Sequence, residues 1–211
     1  HPAAARWVEL GRARLEAQAR DNVSADGLFR EHSPFYHFFV LRQLLDARRL
    51  GRVHHVPFSR ELDERLDAML AAGAHLLRPD GGLPALGDTA RRDPVFFAGA
   101  ELRELPGEGA REYLFSAGAG EAGTRPAATS VLCPGGGLAV LRSGWGEVEP
   151  FRGERHLTVR LATFPTSHIH RDVLSFELYA HGDDLIVDSG GPYAYGHPIR
   201  SAFLVTTRAT E

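Results

Sequence analysis

His156-Leu157-Thr158-Val159-Arg160-Leu161-Ala162-Thr163 and Leu174-Ser175-Phe176-Glu177-Leu178-Tyr179-Ala180 decide how this chain is read. In the first stretch Leu157, Val159 and Leu161 alternate with His156, Thr158 and Arg160. In the second Leu174, Phe176 and Leu178 alternate with Ser175, Glu177 and Tyr179. A period of two marks strands with one face against a core. Gly182-Asp183 then turns the chain into Asp184–Val187, which reads as a hairpin, and Phe203–Thr207 reads as one further strand.

Upstream the period is that of a helix. Ala4 to Ala19 carries Trp7, Val8, Leu10 and Leu15 among arginines and glutamates. Ser33-Pro34 is a helix start, with serine at the N-cap and proline in the first turn. The helix it opens is apolar on most sides (Phe35, Phe38, Phe39, Val40, Leu41, Leu44 and Leu45), so it needs neighbours on several faces. Ser59 caps a third helix bearing Leu62, Leu66, Met69, Leu70 and Leu77, which ends at the turn cluster Pro79-Asp80-Gly81-Gly82. These helices make a poor closed core for so much apolar surface, and a larger helical array is expected around them. Between 106 and 128 the composition shifts to Gly, Ala, Glu and Pro, which reads as a linker or exposed crossover. Strands following helices give an α+β, multidomain chain.

The 211 residues suit one large domain or two small ones. No apolar run approaches the roughly 20 residues of a bilayer span. A formal charge of −3 argues against a broad nucleic-acid footprint. Apart from histidine, every basic residue is arginine, whose rigid fork suits carboxylates. The single cysteine, Cys133, rules out a disulfide within the chain. The chain opens on His1 and is read as an internal stretch of a longer one, so the lack of a leader says nothing about export.

Two segments carry chemistry. Ser167-His168-Ile169-His170-Arg171-Asp172 precedes the second strand, and Val187-Asp188-Ser189-Gly190-Gly191 follows the hairpin. Histidines at i and i+2 share a face of an extended segment, and the hairpin returns Asp188 toward them, so one of the two histidines together with Asp188 could hold a metal ion. Alone, such a His-x-His reads as polar loop residues. The other segment is Asp26-Gly27-Leu28-Phe29-Arg30-Glu31-His32-Ser33-Pro34-Phe35-Tyr36-His37. Tyr36 falls third in its helix, where unpaired N–H groups and the macrodipole favour negative charge, a place suited to a residue that gives and takes a proton. On spacing alone Tyr36 reads first as a core aromatic.

Taken in order, these segments resemble the heparinase II/III-like polysaccharide lyases. Asp26-Gly27 with Ser33-Pro34-x-Tyr36-His37 is similar to a stretch of their helical toroid, and Pro79-Asp80-Gly81-Gly82 with Gly87-Asp88 to a later toroid loop. Gly137-Leu138-Ala139-Val140-Leu141-Arg142-Ser143-Gly144-Trp145 resembles the opening of their β-sandwich. Ser167-His168-x-His170-x-Asp172-x-Leu174-Ser175-Phe176, Val187-Asp188-x-Gly190 and Tyr195 resemble its next hairpin. The resemblance implies a partial α/α toroid over residues 1–105, a linker over 106–128, and the start of an antiparallel β-sandwich, incomplete, over 129–211. It implies elimination at an acidic, uronate-containing polysaccharide such as a glycosaminoglycan or alginate, in a periplasmic or secreted parent protein. Tyr36 would be the catalytic acid, and also the base where both events share a face. His168 would be base or positioner on the opposite side. His170 and Asp188 match ligands of a structural zinc. The family's carboxylate-neutralising Asn or His belongs upstream of the Trp7 helix. Where the family often has Thr-x-Ala-His-Asn, this chain has Thr207-Arg208-Ala209-Thr210-Glu211, so Thr210 stands where a third zinc ligand is expected.

The competing readings are a non-catalytic or biosynthetic relative that binds acidic exopolysaccharide, and an iron-dependent oxygenase built on His170 and Asp172. His170-Arg171-Asp172 also mimics a kinase catalytic loop, but Glu177 stands where asparagine is required. Glu31, His32, His37 and Arg171 read as solvated or supporting residues. The isolated chain is expected to be inactive and poorly stable, with the Phe38/Phe39 helix short of partners.

Overall fold

The computed structural model describes residues 3–89, 102, 105, 107–162, 168, 170–189, 196–199 and 202. Its helices are α1 (Ala4–Asn22), α2 (Pro34–Val53), α3 (Arg60–Leu76) and α4 (Glu108–Ala117). They are followed by strands β1 (Ser130–Cys133), β2 (Leu138–Arg142), β3 (His156–Arg160), β4 (Phe176–Ala180) and β5 (Asp183–Ile186). The expected Phe203–Thr207 strand lies outside the described residues.

Helix α3 is the centre of the helical part. Leu66, Met69 and Leu70 are fully buried, and Ser59 caps the helix through Leu62 N–H as its sequence predicts. Phe38 of α2 is also fully buried, against Gly73 and Tyr113, so that helix has the partner it was expected to lack. Phe39, Leu50 and Val53 of the same helix remain open to solvent.

The stretch expected as a linker carries α4, which packs along α3. Small residues allow this approach: a Cβ on Gly109 would lie 2.1 Å from the Asp67 carbonyl oxygen. The Asp67 carboxylate then accepts the Ala110 N–H at 3.1 Å, capping α4 from a neighbouring helix. Tyr113 is buried and Ser116 donates to the Ala74 carbonyl. The Gly and Ala content that suggested a linker is what close helix packing requires here.

The strands form one antiparallel meander in the order β1-β2-β3-β4-β5. Ala180 pairs with Asp183, so the last hairpin turns on His181-Gly182, one residue earlier than the sequence suggested. Both turn residues have positive φ (57° and 90°), the two-residue geometry whose twist matches the flanking strands.

The alternation read from the sequence is present, but in β3 and β4 the buried face carries mostly the polar residues, beside Leu138 and Val140 of β2. Arg142, His156, Thr158, Arg160 and Glu177 are buried, whereas Leu141, Phe176 and Ile186 on the other face are 42–45% exposed. The reason is what the sheet meets. Arg142 donates to the Leu77 carbonyl at 2.8 Å, and a His156 ring nitrogen lies 2.8 Å from the His75 carbonyl. These carbonyls belong to the last turn of α3 and to its C-cap, positions without a partner inside the helix. Arg142 also pairs with buried Glu154 at 3.1 Å and lies over the Trp145 ring. Asp26 accepts from the Gly135 and Gly136 N–H groups in the β1–β2 turn, and Glu177 accepts from Ala85 N–H. The sheet thus docks on helix ends and loops, which need hydrogen-bonding partners more than methyl groups.

Candidate active site

The geometry begins with the entry to α2. Ser33 occupies the N-cap position and Pro34 the first turn, but the Ser33 hydroxyl caps nothing. It is hydrogen-bonded to Thr89 Oγ1 at 2.7 Å, and that oxygen accepts the Phe35 N–H at 3.0 Å. A residue distant in sequence therefore fixes the first turn of α2 and, with it, Tyr36.

Tyr36 and His168 come together from the two halves of the chain. Their rings are stacked, with centroids 3.6 Å apart and planes 14° from parallel. A sugar does not fit between rings at that spacing. His168 is at φ 62°, a left-handed conformation that costs a non-glycine residue roughly 1 kcal/mol.

His168 Nδ1 lies 3.0 Å from Asp88 Oδ2, and His170 Nε2 lies 3.1 Å from Asp88 Oδ1. One buried carboxylate therefore touches both histidines. On its other side His168 Nε2 is 3.6 Å from Glu31 Oε2, beyond hydrogen-bond distance. Asp88, Thr89 and Glu31 were not singled out from the sequence as site residues. The signal available was Gly87-Asp88: Gly87 has φ +60°, and a Cβ there would meet the His168 carbonyl oxygen at 2.7 Å.

Behind this layer His170, Asp172 and Asp188 each present a possible ligand atom, all within 4.8 Å of one another, and all three residues are buried. The hairpin thus brings His170 and Asp188 together as their spacing suggests, and adds Asp172. Arg160 Nε approaches Asp172 Oδ1 at 2.8 Å, but off the hydrogen-bond line, so neither carboxylate oxygen of Asp172 has a hydrogen-bond partner among the described residues. Burial pushes the Asp172 carboxyl up, against the opposing pull of Arg160. Glu177 is pushed up to about 7, again by burial. Ser175 donates to Asp188, and Glu177 accepts the Asp188 N–H. Ser167, Tyr195 and Thr210 lie outside the described residues.

His32 and His37, read as supporting or solvated, are both buried. His37 Nε2 is 3.1 Å from the Met69 carbonyl, and His37 Nδ1 accepts the Phe29 N–H, fixing the loop before α2. Burial lowers each of these imidazoles to about 4.

Comparison with known proteins places this geometry. A model of the heparinase II/III N-terminus matches residues 2–100, and one of the heparinase II/III-like C-terminal region matches 125–209. A heparin-sulfate lyase of Pedobacter heparinus is 28% identical over 196 residues, covering 88% of this chain and 28% of that protein. The crystal structure of heparan sulfate lyase HepC from Pedobacter heparinus superposes with a TM-score of 0.77 at 21% identity, over 95% of this chain and 31% of that one. A heparinase III crystal structure gives 0.77 at 19% identity, over 94% of this chain and 33% of the other. The chain spans less than a third of the length of the curated relative it matches. Helices of a toroid followed by an antiparallel sheet of a sandwich, in this order and over nearly the whole chain, make it a member of the heparinase II/III-like family.

Proposed function

We propose that this chain carries part of the catalytic cleft of a polysaccharide lyase, which cleaves a uronic-acid-containing glycan by β-elimination. The observation that carries the reading is the Tyr36–His168 stack, formed by one ring from α2 and one from the connection between β3 and β4. The named relatives act on heparin or heparan sulfate, and a sulfated, uronate-bearing glycosaminoglycan is the substrate class we favour here. A periplasmic or secreted parent protein fits such a substrate.

In the reaction a base removes the C5 proton of the uronate, the freed pair forms the C4–C5 double bond, and the C4–oxygen bond breaks. The departing oxygen needs a proton. Tyr36, whose hydroxyl has a single exchangeable proton, donates it, and His168 accepts or positions the C5 proton from the adjoining ring edge. Where both events share a face, Tyr36 serves both. The group neutralising the uronate carboxylate is assigned upstream of α1.

His170, Asp172 and Asp188 fit a cation: one imidazole and two carboxylates converge in a buried space, and the Asp172 carboxylate oxygens have no hydrogen-bond partner among the described residues. Zinc held there would tether the loop carrying His168 to the hairpin. Asp172 would then supply the third ligand.

Tyr36→Phe in the intact protein tests the reading, because it keeps the ring and its stack and removes the proton. The ultraviolet absorbance of unsaturated uronate should be lost, while glycan binding and melting temperature stay nearly unchanged. Full activity in that variant would rule out the mechanism. Absence of product from the unaltered protein, with glycan still bound, would favour the non-catalytic relative.

A further inference from the structure

We propose that Asp88 is a positioning residue that sets the tautomers of both histidines at once. It would make Nε2 of His168 the proton-accepting nitrogen and leave Nδ1 of His170 for a cation. The proposal rests on the lyase reading only for the role given to His168.

A carboxylate accepts hydrogen bonds and donates none. Asp88 Oδ2 meets His168 at Nδ1, and Asp88 Oδ1 meets His170 at Nε2. Each of those nitrogens must therefore carry its hydrogen. In a neutral imidazole the lone pair is then on the opposite nitrogen. Because the carboxylate touches a different nitrogen in each ring, one residue gives the two histidines complementary tautomers.

The carboxylate is held in place by more than its own contacts. Asp88 N–H donates to the His168 carbonyl at 3.2 Å, and the left-handed Gly87 lets the two backbones approach that closely. The Asp88 side chain is only 3% exposed, so solvent offers little competition for its acceptor sites. The next residue, Thr89, caps the helix bearing Tyr36. A Gly87-Asp88-Thr89 loop thus sets the tautomer of one catalytic candidate and the placement of the other.

The test is a long-range proton–nitrogen spectrum of the intact protein labelled with ¹⁵N-histidine, with His168 and His170 assigned from their Gln variants. The proposal expects hydrogen on Nδ1 of His168 and on Nε2 of His170 at neutral pH. Hydrogen on the opposite nitrogen of either ring, or on both nitrogens of His168, overturns it, and no variant of Asp88 has to fold for that result. Asp88→Asn replaces one acceptor oxygen with an N–H donor, so one ring must exchange its tautomer. Turnover should fall about 10- to 100-fold, as for other residues that orient a ligating or reacting histidine, with KM changed less than about two-fold. Unchanged tautomers, or unchanged turnover, in that variant would also overturn the proposal. If the unaltered protein shows the expected tautomers but forms no unsaturated uronate, the lyase reading fails and the tautomer assignment stands.

Discussion

Gly87 is where the site depends on the absence of a side chain. Its φ of +60° is open to glycine and costly for alanine, and the added Cβ would lie 2.7 Å from the His168 carbonyl oxygen and 3.3 Å from that of His32. Gly87→Ala should cost at least ~1–2 kcal/mol from backbone conformation alone. It should also separate Tyr36 from His168, lowering turnover. A urea midpoint within error of the parent would show that the loop yields freely and that the close approach carries no constraint. Tyr36, His168, His170 and Asp188 could be named from the sequence because each sits in a recognisable run. Asp88 and Thr89 could not be given roles, because their partners lie far away in the chain and no local period encodes them.

At the level of elements, the helices were legible and their caps were not. Ser33-Pro34 marks the start of α2, yet the hydroxyl that satisfies the Phe35 N–H is that of Thr89. Likewise Asp67 caps α4, and Arg142 and His156 of the sheet satisfy carbonyls of the last turn and C-cap of α3. Thr89→Val preserves shape but removes the oxygen shared by Ser33 and Phe35. A loss of ~1–2 kcal/mol follows from the missing cap in a fully buried setting. Ser33→Ala should cost less, because Thr89 still accepts from Phe35. Comparing the two by chemical denaturation checks the assignment, and a costlier Ser33→Ala would return the cap to serine. The stretch at 106–128 was misread for a related reason. Its composition is that of a linker, and only the neighbouring α3 surface makes Gly109 and Ala110 a packing seam.

Across the whole molecule, the joint between helices and sheet is built from buried polar groups, and this sets its response to acid. Burial lowers His32, His37 and His75 to about 4 and His156 to about 3, against 6.5 for a free imidazole. Below pH 6.5 the unfolded chain takes up these protons and the folded chain does not. The stability they contribute is therefore complete above 6.5 and is lost as pH falls toward 4. Each such group changes stability by ~1.4 kcal/mol per pH unit in that window. Glu177 works in the opposite direction: raised to about 7, it stays protonated in the fold where the unfolded chain has released its proton, so it adds stability as pH falls from 7 toward 4.5. Asp172 and Glu112, also raised by burial, act in the same direction as Glu177; four imidazoles against three carboxyls leave a net loss, and the urea midpoint should drop between pH 7.5 and 5.5. A midpoint that held or rose would mean that these histidines are not kept neutral. The period-two alternation told where the strands lie, but only the helix ends they meet decided that Arg142, His156 and Arg160 would face inward.

The strand order has a kinetic corollary. In a meander each strand pairs with its neighbour in sequence, so every ladder closes a short loop and the entropy of closure stays small. Such a sheet can assemble hairpin by hairpin before it meets the helices. The contacts that bridge long stretches of chain, from Asp26 to Gly135, His75 to His156 and Asp88 to His168, must close much larger loops, and all of them join the helices to the sheet. The Tyr36–His168 pair is another such long-range contact, so its formation is expected to follow strand pairing and to accompany the docking of helices and sheet.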